Sequence, residues 1–391
     1  MDLELTPLQQ DFRERTKVYA EECRPFAAEW DINNHVPIQE LTKRAGELDL
    51  LAITMPKEHG GQDHAMMEYT VVIETALRYS QCALASEPMF RTSGAGPSIL
   101  LMSDNDVPRK KFMPSMITGE QGCALALSEP NHGSDLTYLE TRAVQDGDDY
   151  VLNGSKRFIT GATEDRLYAT FVRLSDTPGA KGIGAVMVEE GTPGFRIEKG
   201  PAFVSSRGIP HGDLWFEDCR VPAENLLVAE GQFPRLMTAF NVERLHNGTC
   251  SLGLAEAAFD ESSKFAQERH QFGRPVIEFQ AIYRMLAEMW VSIEATRMLL
   301  FRAAATAVDG KYPQAHDVTI AKMFANETLS NVAKAAVQVC AGDGLAITHP
   351  VQRIARDAMI CMVAGGTHQV LKNSIAGMLF PDRKFKQTRD A

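Results

Sequence analysis

A glutamate with no cation beside it is the first feature of this chain that invites chemistry. Glu243 lies in "FNVERL" (240–245), where the apolar spacing implies a helix. An exposed helical glutamate is ordinarily paired three or four positions away, but those positions hold Ala239, Phe240, His246 and Asn247, so the usual intrahelical salt bridge is unavailable. That raises the case for a carboxylate pointing into a cavity, where burial lifts its pKa toward the range in which a general base works. Arg244 projects about 100° further round the helix and serves a different neighbour. A second stretch, "VAGGTHQV" (363–370), sets Gly365 and Gly366 ahead of Thr367, His368 and Gln369. Taken alone, it reads as a break between two helices.

Other stretches carry ligand chemistry in their residue types, each with a plainer explanation beside it. "LSEPNHGSD" (127–135) is a loop between strands, whose small and hydroxyl residues let backbone N–H groups and serine oxygens approach a planar or phosphorylated ligand; a polar β-turn has the same composition. "RFITGA" (157–162) follows "NGSK", a turn signal, and offers an aromatic to a flat ring with Thr160 as hydrogen-bonding group; an edge-strand aromatic explains it as well. "ERHQFGRP" (268–275) puts Arg269 and Arg274 around Phe272, suited to a pyrophosphate beside an aromatic ring system or to a solvated helix end. "QVCAGDG" (338–344) runs from a helix into glycines, either as a plain C-cap or as a turn whose backbone meets a ligand.

Several classes fall away. There is no G-x-S-x-G or H-E-x-x-H, the ten histidines show no ligand spacing, and no metal site is expected. A formal net charge of -11 argues against nucleic-acid and membrane-surface partners, which draw on excess Lys and Arg. The seven cysteines are odd in number and widely spaced, consistent with reduced thiols. No run approaches the ~18 apolar residues of a membrane span, and the acidic start "MDLELTPLQQDFRERT" is unlike a secretory or transit peptide. A cytoplasmic protein is expected.

The elements that must position these residues change texture along the chain. Residues 1–120 show helical periodicity, with Thr6 as N-cap and Pro7 in the first helical position. Residues 121–229 hold short apolar or alternating runs such as "CALALSE", "LYATFVRL", "IGAVMVEE" and "LWFEDCRV", which read as strands of an antiparallel sheet or barrel. From 230 to 391 the texture is helical again, in segments of bundle length such as "IEATRMLLFRAAATAV". The fold class expected is α+β: a helical N-terminal domain, a central antiparallel β domain and a C-terminal four-helix bundle. Strands and helices do not alternate and no G-x-G-x-x-G follows a strand, so a nucleotide cofactor would be held without a doubly wound sheet.

In this order, "LSEPNHGSD", "NGSKRFIT", "FEDCRVPAENLL", "ERHQFGRPVIEFQAI", "QVCAGDG", "RDAMI" and "GGTHQV" resemble the acyl-CoA dehydrogenase family over essentially the whole chain. The resemblance implies FAD as cofactor, an acyl-CoA thioester as substrate, electron-transferring flavoprotein as electron acceptor, and a homotetramer in which part of each FAD site comes from a neighbour. It implies that Leu125, Leu127, Ser128 and Ser134 line flavin and thioester, and that Phe158 and Thr160 contact the isoalloxazine. Arg269 and Phe272 correspond to the pair reaching a neighbour's FAD, with Gln338 and Gly342 receiving the same dinucleotide. Thr367 and Gln369 lie beside the cofactor, and Arg244 beside the substrate.

Many family members carry their catalytic glutamate immediately before the Gly-Thr of the last motif, where this chain has Gly365. A minority, including isovaleryl-CoA and long-chain dehydrogenases, carry it on the helix at the position of Glu243, and a bacterial subgroup acting on carnitine-derived CoA thioesters shares this Glu-Arg and double-glycine pattern. The resemblance therefore implies Glu243 as base and leaves Gly365 a backbone N–H for the thioester carbonyl. Enoyl-CoA reduction, oxidase chemistry and a non-catalytic CoA- or FAD-binding scaffold stand as alternatives on the same fold. The residues that read a γ-carboxylate in glutaryl-CoA dehydrogenase would align near Leu77 and Leu84, against that substrate. Glu87 and Arg91, in the helix "ALASEPMFRTSGAGPSI" (83–99) expected to close the acyl pocket, read as an i,i+4 salt bridge or as polar groups facing the acyl chain.

Overall fold

The computed structural model describes residues 4–383; the first three residues of the acidic N-terminus and the last eight of the C-terminal segment lie outside the described residues. The N-terminal part is helical: α1 (Pro7–Cys23), α2 (Ala27–Asn33), α3 (Ile38–Glu47), α4 (Met66–Ser80), α5 (Glu87–Ser93), α6 (Ala95–Met102) and α7 (Asp106–Ile117). Helix α1 begins as its sequence dictates: the Thr6 hydroxyl accepts from the Gln9 N–H, the Gln9 side chain accepts from the Thr6 N–H, and Pro7 occupies the first turn. The stretch expected to form one pocket-closing helix is divided into α5 and α6 at Gly94. A Cβ there would lie 2.5 Å from the Phe90 carbonyl oxygen, so the chain can turn this tightly only at a glycine.

The central part contains β1 (Cys123–Ala126), β2 (Arg142–Asp146), β3 (Asp149–Thr160), β4 (Leu167–Arg173), β5 (Ile183–Glu189), β6 (Phe195–Lys199), β7 (His211–Pro222) and β8 (Leu226–Val228). They form one sheet in the order β6-β7-β3-β2-β4-β5-β8, with β1 paired to β4. Pairing is antiparallel except for β1 with β4 and a single parallel bridge between β2 and β4. "NGSK" is no turn: it lies within β3, where Gly154 (φ 141°) accompanies a shift of register against β7. A second shift, between Lys156 and Ile159, brackets Phe158.

The C-terminal part holds α8 (Phe233–Glu268), a small hairpin of β9 (His270–Gln271) and β10 (Arg274–Pro275), then α9 (Gln280–Ala305), α10 (Ala315–Cys340), α11 (Pro350–Cys361) and α12 (His368–Leu379). Among the described residues no helix is long and apolar enough to cross a membrane. Helix α8 joins the hydrophobic cores. Leu236, Ala239 and Phe240 pack with Phe112, Leu127 and Phe171 of the α7–sheet core, whereas Val242, Leu245 and Leu252 pack with Tyr69, Leu300 and Leu329 of the bundle core. Glu243 sits just past the crossover, where the two apolar masses meet.

Candidate active site

Glu243 is largely surrounded by protein, with intermediate exposure for the residue as a whole. It makes no hydrogen bond or ion pair among the described residues. Burial raises its pKa to about 7, against the attraction of Lys322, which pulls it down. Gly365, on the connection between α11 and α12, has φ 66°, a left-handed backbone that favours glycine. A Cβ built on Gly365 would lie 3.8 Å from Glu243 Oε1 and 3.6 Å from Lys322 Nζ. The helix carboxylate thus reaches the space that a side chain at 365 would enter. The Gly365 N–H donates to no partner among the described residues.

Lys322, which sequence reasoning missed, holds this connection in place. Its fully buried ammonium donates to the carbonyls of Ala364 (2.6 Å) and Gly366 (2.7 Å), and one turn on, Asn326 donates to the Cys361 carbonyl. A signal was present in the sequence: Lys322 falls four residues after Val318 and three before Ala325, inside the apolar stripe of α10. Thr367 caps α12 by accepting from the Val370 N–H at 3.3 Å, and Gln369 is exposed beside it. Arg244 donates to Asn241 Oδ1 (3.1 Å) and lies over the Phe240 ring, while its buried Nε has no partner. One turn beyond, His246 contacts the Tyr69 hydroxyl and Cys250 Sγ, and burial pushes its pKa down to about 3, so it stays neutral.

The expected salt bridge between Glu87 and Arg91 is not made. Arg91 pairs instead with Asp165, at the turn before β4, and Glu87 has no ionic or hydrogen-bonding partner among the described residues. Burial raises the Glu87 pKa to about 8, with Arg91 opposing and Asp165, Glu243 and Glu164 reinforcing the rise. Phe90, on the same face of α5, stacks on His246 at 4.3 Å between centroids, which seats α5 against the turn of α8 beyond Glu243.

A second group of expected residues gathers on the sheet. Leu125 is in β1, and Leu127 and Ser128 begin the following loop, whose exposed tip bears Ser134. The loop is anchored by Glu129: its carboxylate accepts from Lys156 Nζ (2.8 Å) and from the N–H groups of Glu140 and Thr141, and Lys156 also donates to the Leu127 carbonyl. Burial works against the Glu129 charge, but Lys156 and the N–H donors more than reverse it and hold its pKa below the usual range. The Ser128 carbonyl accepts from the Arg157 N–H at 2.8 Å, tying the loop to β3 next to Phe158. Glu129, His132 and Glu140 also bring potential ligand atoms within 4.8 Å of one another, a grouping that histidine spacing did not reveal. The Glu129 oxygens are already committed to Lys156 and the backbone, which makes this group an anchor.

Phe158 has φ 60° and is exposed, as is Thr160, with buried Ile159 between them. A phenylalanine in left-handed backbone at a bulge costs of order 1–3 kcal/mol, and such strain gathers where a side chain must be aimed. An exposed, aimed ring with a hydroxyl two residues on and a serine-bearing loop alongside fits a planar, hydrogen-bonding cofactor such as FAD.

The third group lies apart. Arg269 caps α8, and Phe272 is at the tip of the β9–β10 hairpin, 92% exposed, with φ 52° followed by Gly273 at 81°. This is a two-residue hairpin turn with both φ positive, rather than a solvated helix end. Gln338 and Gly342 are exposed at the end of α10. No hydrogen bond or ion pair joins these four to the other groups among the described residues.

Comparison with known proteins matches three family models along the chain: the N-terminal domain of acyl-CoA dehydrogenase at residues 6–120, its middle domain at 124–219 and its C-terminal domain at 233–380. Similar curated proteins include a short-chain specific acyl-CoA dehydrogenase of Clostridium acetobutylicum, 34% identical over 97% of this chain and 100% of its own. A 3-sulfinopropanoyl-CoA desulfinase of Cupriavidus necator is 33% identical over 98% of both chains. Among solved structures, butyryl-CoA dehydrogenase from Megasphaera elsdenii superposes with a TM-score of 0.91 at 30% identity, over 97% of this chain and 100% of that one.

Proposed function

This chain belongs to the acyl-CoA dehydrogenase family, and from that membership we propose that it is an FAD-dependent oxidoreductase that desaturates an acyl-CoA thioester between its α- and β-carbons, with Glu243 as the base. The observation that carries the reading is the unpaired Glu243 carboxylate, its oxygen 3.8 Å from where a side chain on Gly365 would begin. The Cupriavidus relative, named for a desulfination, is almost as similar as the dehydrogenases. The proposed reaction therefore rests on this carboxylate as much as on likeness.

In the proposed reaction the Cα–H bond breaks and Glu243 takes the proton, while the Cβ–H electron pair leaves as hydride and the Cα–Cβ double bond forms. The chemistry FAD supplies when bound is acceptance of that hydride; Phe158, Thr160, Leu125, Leu127, Ser128 and Ser134 would hold it, with Thr367 and Gln369 beside it. A pKa of about 7 keeps Glu243 largely anionic just above neutrality and still basic enough to take a weakly acidic proton. Negative charge that develops on the thioester oxygen is met by the free Gly365 N–H; a donor so placed is typically worth ~3 kcal/mol of barrier. Arg244 lies one position along the helix and steadies the substrate end of the cleft.

The exposed Phe272, together with exposed Trp290, Val291 and Met298 on α9, supports assembly into a homotetramer in which the hairpin completes a neighbour's cofactor site. Electron-transferring flavoprotein is the proposed acceptor. The test is a panel of acyl-CoA thioesters added to wild type and to Glu243→Gln. Wild type bleaches its visible flavin band with at least one of them, and the variant binds FAD and thioester without bleaching. Bleaching by the variant at the wild-type rate would exclude Glu243 as base.

A further inference from the structure

We infer that Lys322 is a positioning residue for this reaction: one buried ammonium clamps the loop that presents the Gly365 N–H and faces the Glu243 carboxylate across the space beside Gly365. The inference rests on the proposed role of Glu243 and assigns the residue that prepares it.

The geometry is specific. Two Lys322 protons go to the carbonyls that flank Gly365, those of Ala364 and Gly366, at 2.6 and 2.7 Å. The Ala364 carbonyl shares its peptide plane with the Gly365 N–H, so holding it sets the direction of that N–H, and the bond to the Gly366 carbonyl secures the chain just beyond. An oxyanion donor works only if it is already aimed when charge develops. With two protons committed to backbone, the ammonium makes no ion pair with Glu243 among the described residues, and so leaves the carboxylate free to accept a proton. The distances from the Gly365 Cβ position, 3.6 Å to Lys322 Nζ and 3.8 Å to Glu243 Oε1, place both charges against one small volume.

The surroundings give the lysine its electrostatic weight. Facing Glu243 are Lys322 from α10, Glu87 from α5, Tyr69 from α4, Cys361 from α11 and Cys250 from α8 itself, while the charge of Arg244 acts on Lys322. Burial keeps Tyr69, Cys250 and Cys361 neutral, and Glu87 is an acid that cannot stabilise a second anion. Lys322 is the cation whose attraction lowers the Glu243 pKa. Burial brings the lysine itself down to about 8, so between about 7 and about 8 the carboxylate is anionic while the ammonium still holds its proton.

A clamp alone would not move the strength of the base, and this separates the inference from a purely structural role. The sign is fixed: a cation favours ionised Glu243, so removing it raises the pKa and moves the acid limb of kcat/KM to higher pH. Lys322→Met and Lys322→Gln holoenzymes are compared with wild type and Lys322→Arg, using acyl-CoA-driven flavin reduction against pH. Hydrogen exchange of the peptide spanning 362–370 is measured on the same samples. The neutral variants are expected to shift the acid limb upward by about one pH unit and to exchange faster across the loop, whereas Lys322→Arg keeps the wild-type limb. Gln retains a donor for the carbonyls and serves where Met does not fold. An unmoved acid limb in the folded neutral variant overturns the inference while leaving Glu243 as base. A wild-type acid limb in Glu243→Gln overturns both.

Discussion

Two buried lysines each face a glutamate in this protein, and only one of the pairs closes. Lys156 and Lys322 are both 0% exposed, and burial pushes both down to about 8. Lys156 bonds Glu129 at 2.8 Å, backbone N–H groups take up the rest of that carboxylate, and its pKa sits below the ordinary range. Lys322 gives its protons to two carbonyls instead, and the neighbouring Glu243 is left unbonded with its pKa raised to about 7. The residue types are the same in both places. What differs is where the lysine's protons go, and that separates a loop anchor from the proposed base.

The comparison can be broken most forcefully at the closed pair. Lys156→Met strands the Glu129 charge in the interior, which typically costs about 3–5 kcal/mol. Urea unfolding should show that loss together with reduced FAD content, because the 127–135 loop loses its anchor; unchanged stability would mean that the pair is not an anchor. The open pair is expected to respond with the opposite sign. The folded pKa of Glu243 is raised above the ordinary carboxylate value of 4.5. Its ionisation therefore opposes folding, and stability falls as pH rises from about 4.5 through about 7. Glu243→Gln is predicted to be more stable than wild type above that window, by about 1–3 kcal/mol, and thermal melts at acid and alkaline pH would show the gap opening.

A smaller effect is expected at Gly365→Ala. Its Cβ meets nothing closer than 3.5 Å, so any loss comes from the left-handed backbone at φ 66°, at about 1–2 kcal/mol. Denaturant midpoints check this, and a much larger loss would point to a contact that the structure does not show. Glu87→Leu is expected to be the mildest change. It replaces an unpartnered carboxyl near Glu243 with an apolar group, and should shift kcat/KM by about tenfold toward plain hydrocarbon acyl chains, read from a matched panel of thioesters. No change in relative rates would put Glu87 outside the acyl cleft.

Texture made the order of helical, β and helical parts legible, because periodicity reports which face of an element is buried. That Glu243 goes unpaired was legible for a local reason: the helix offers it no cation within reach. Lys322 was not, since its partners are backbone carbonyls on another element and carbonyls leave no mark in a sequence. Its one trace is a lysine in an apolar stripe, which is also where long side chains bury their stems while keeping the charge in water. The Glu87–Arg91 reading failed because a partner in the tertiary structure, Asp165, displaced the nearer local one. "NGSK" misled through backbone conformation, and "ERHQFGRP", open between a ligand-binding pair and a helix end, forms a hairpin turn after α8. Gly154 accompanies a bulge within a strand, and Gly273 follows a phenylalanine that itself takes up the left-handed position of a hairpin turn.

The central claim, that Glu243 removes the proton next to the thioester, is tested most directly by separating proton removal from hydride loss. An acyl-CoA with α-hydrogens and no β-hydrogen, such as 3,3-dimethylbutyryl-CoA, can be deprotonated but not desaturated. Incubated with the enzyme in deuterium oxide, it should gain deuterium at the α-carbon with wild type and not with Glu243→Gln, as read by mass spectrometry. Equal exchange by the two proteins would contradict the account.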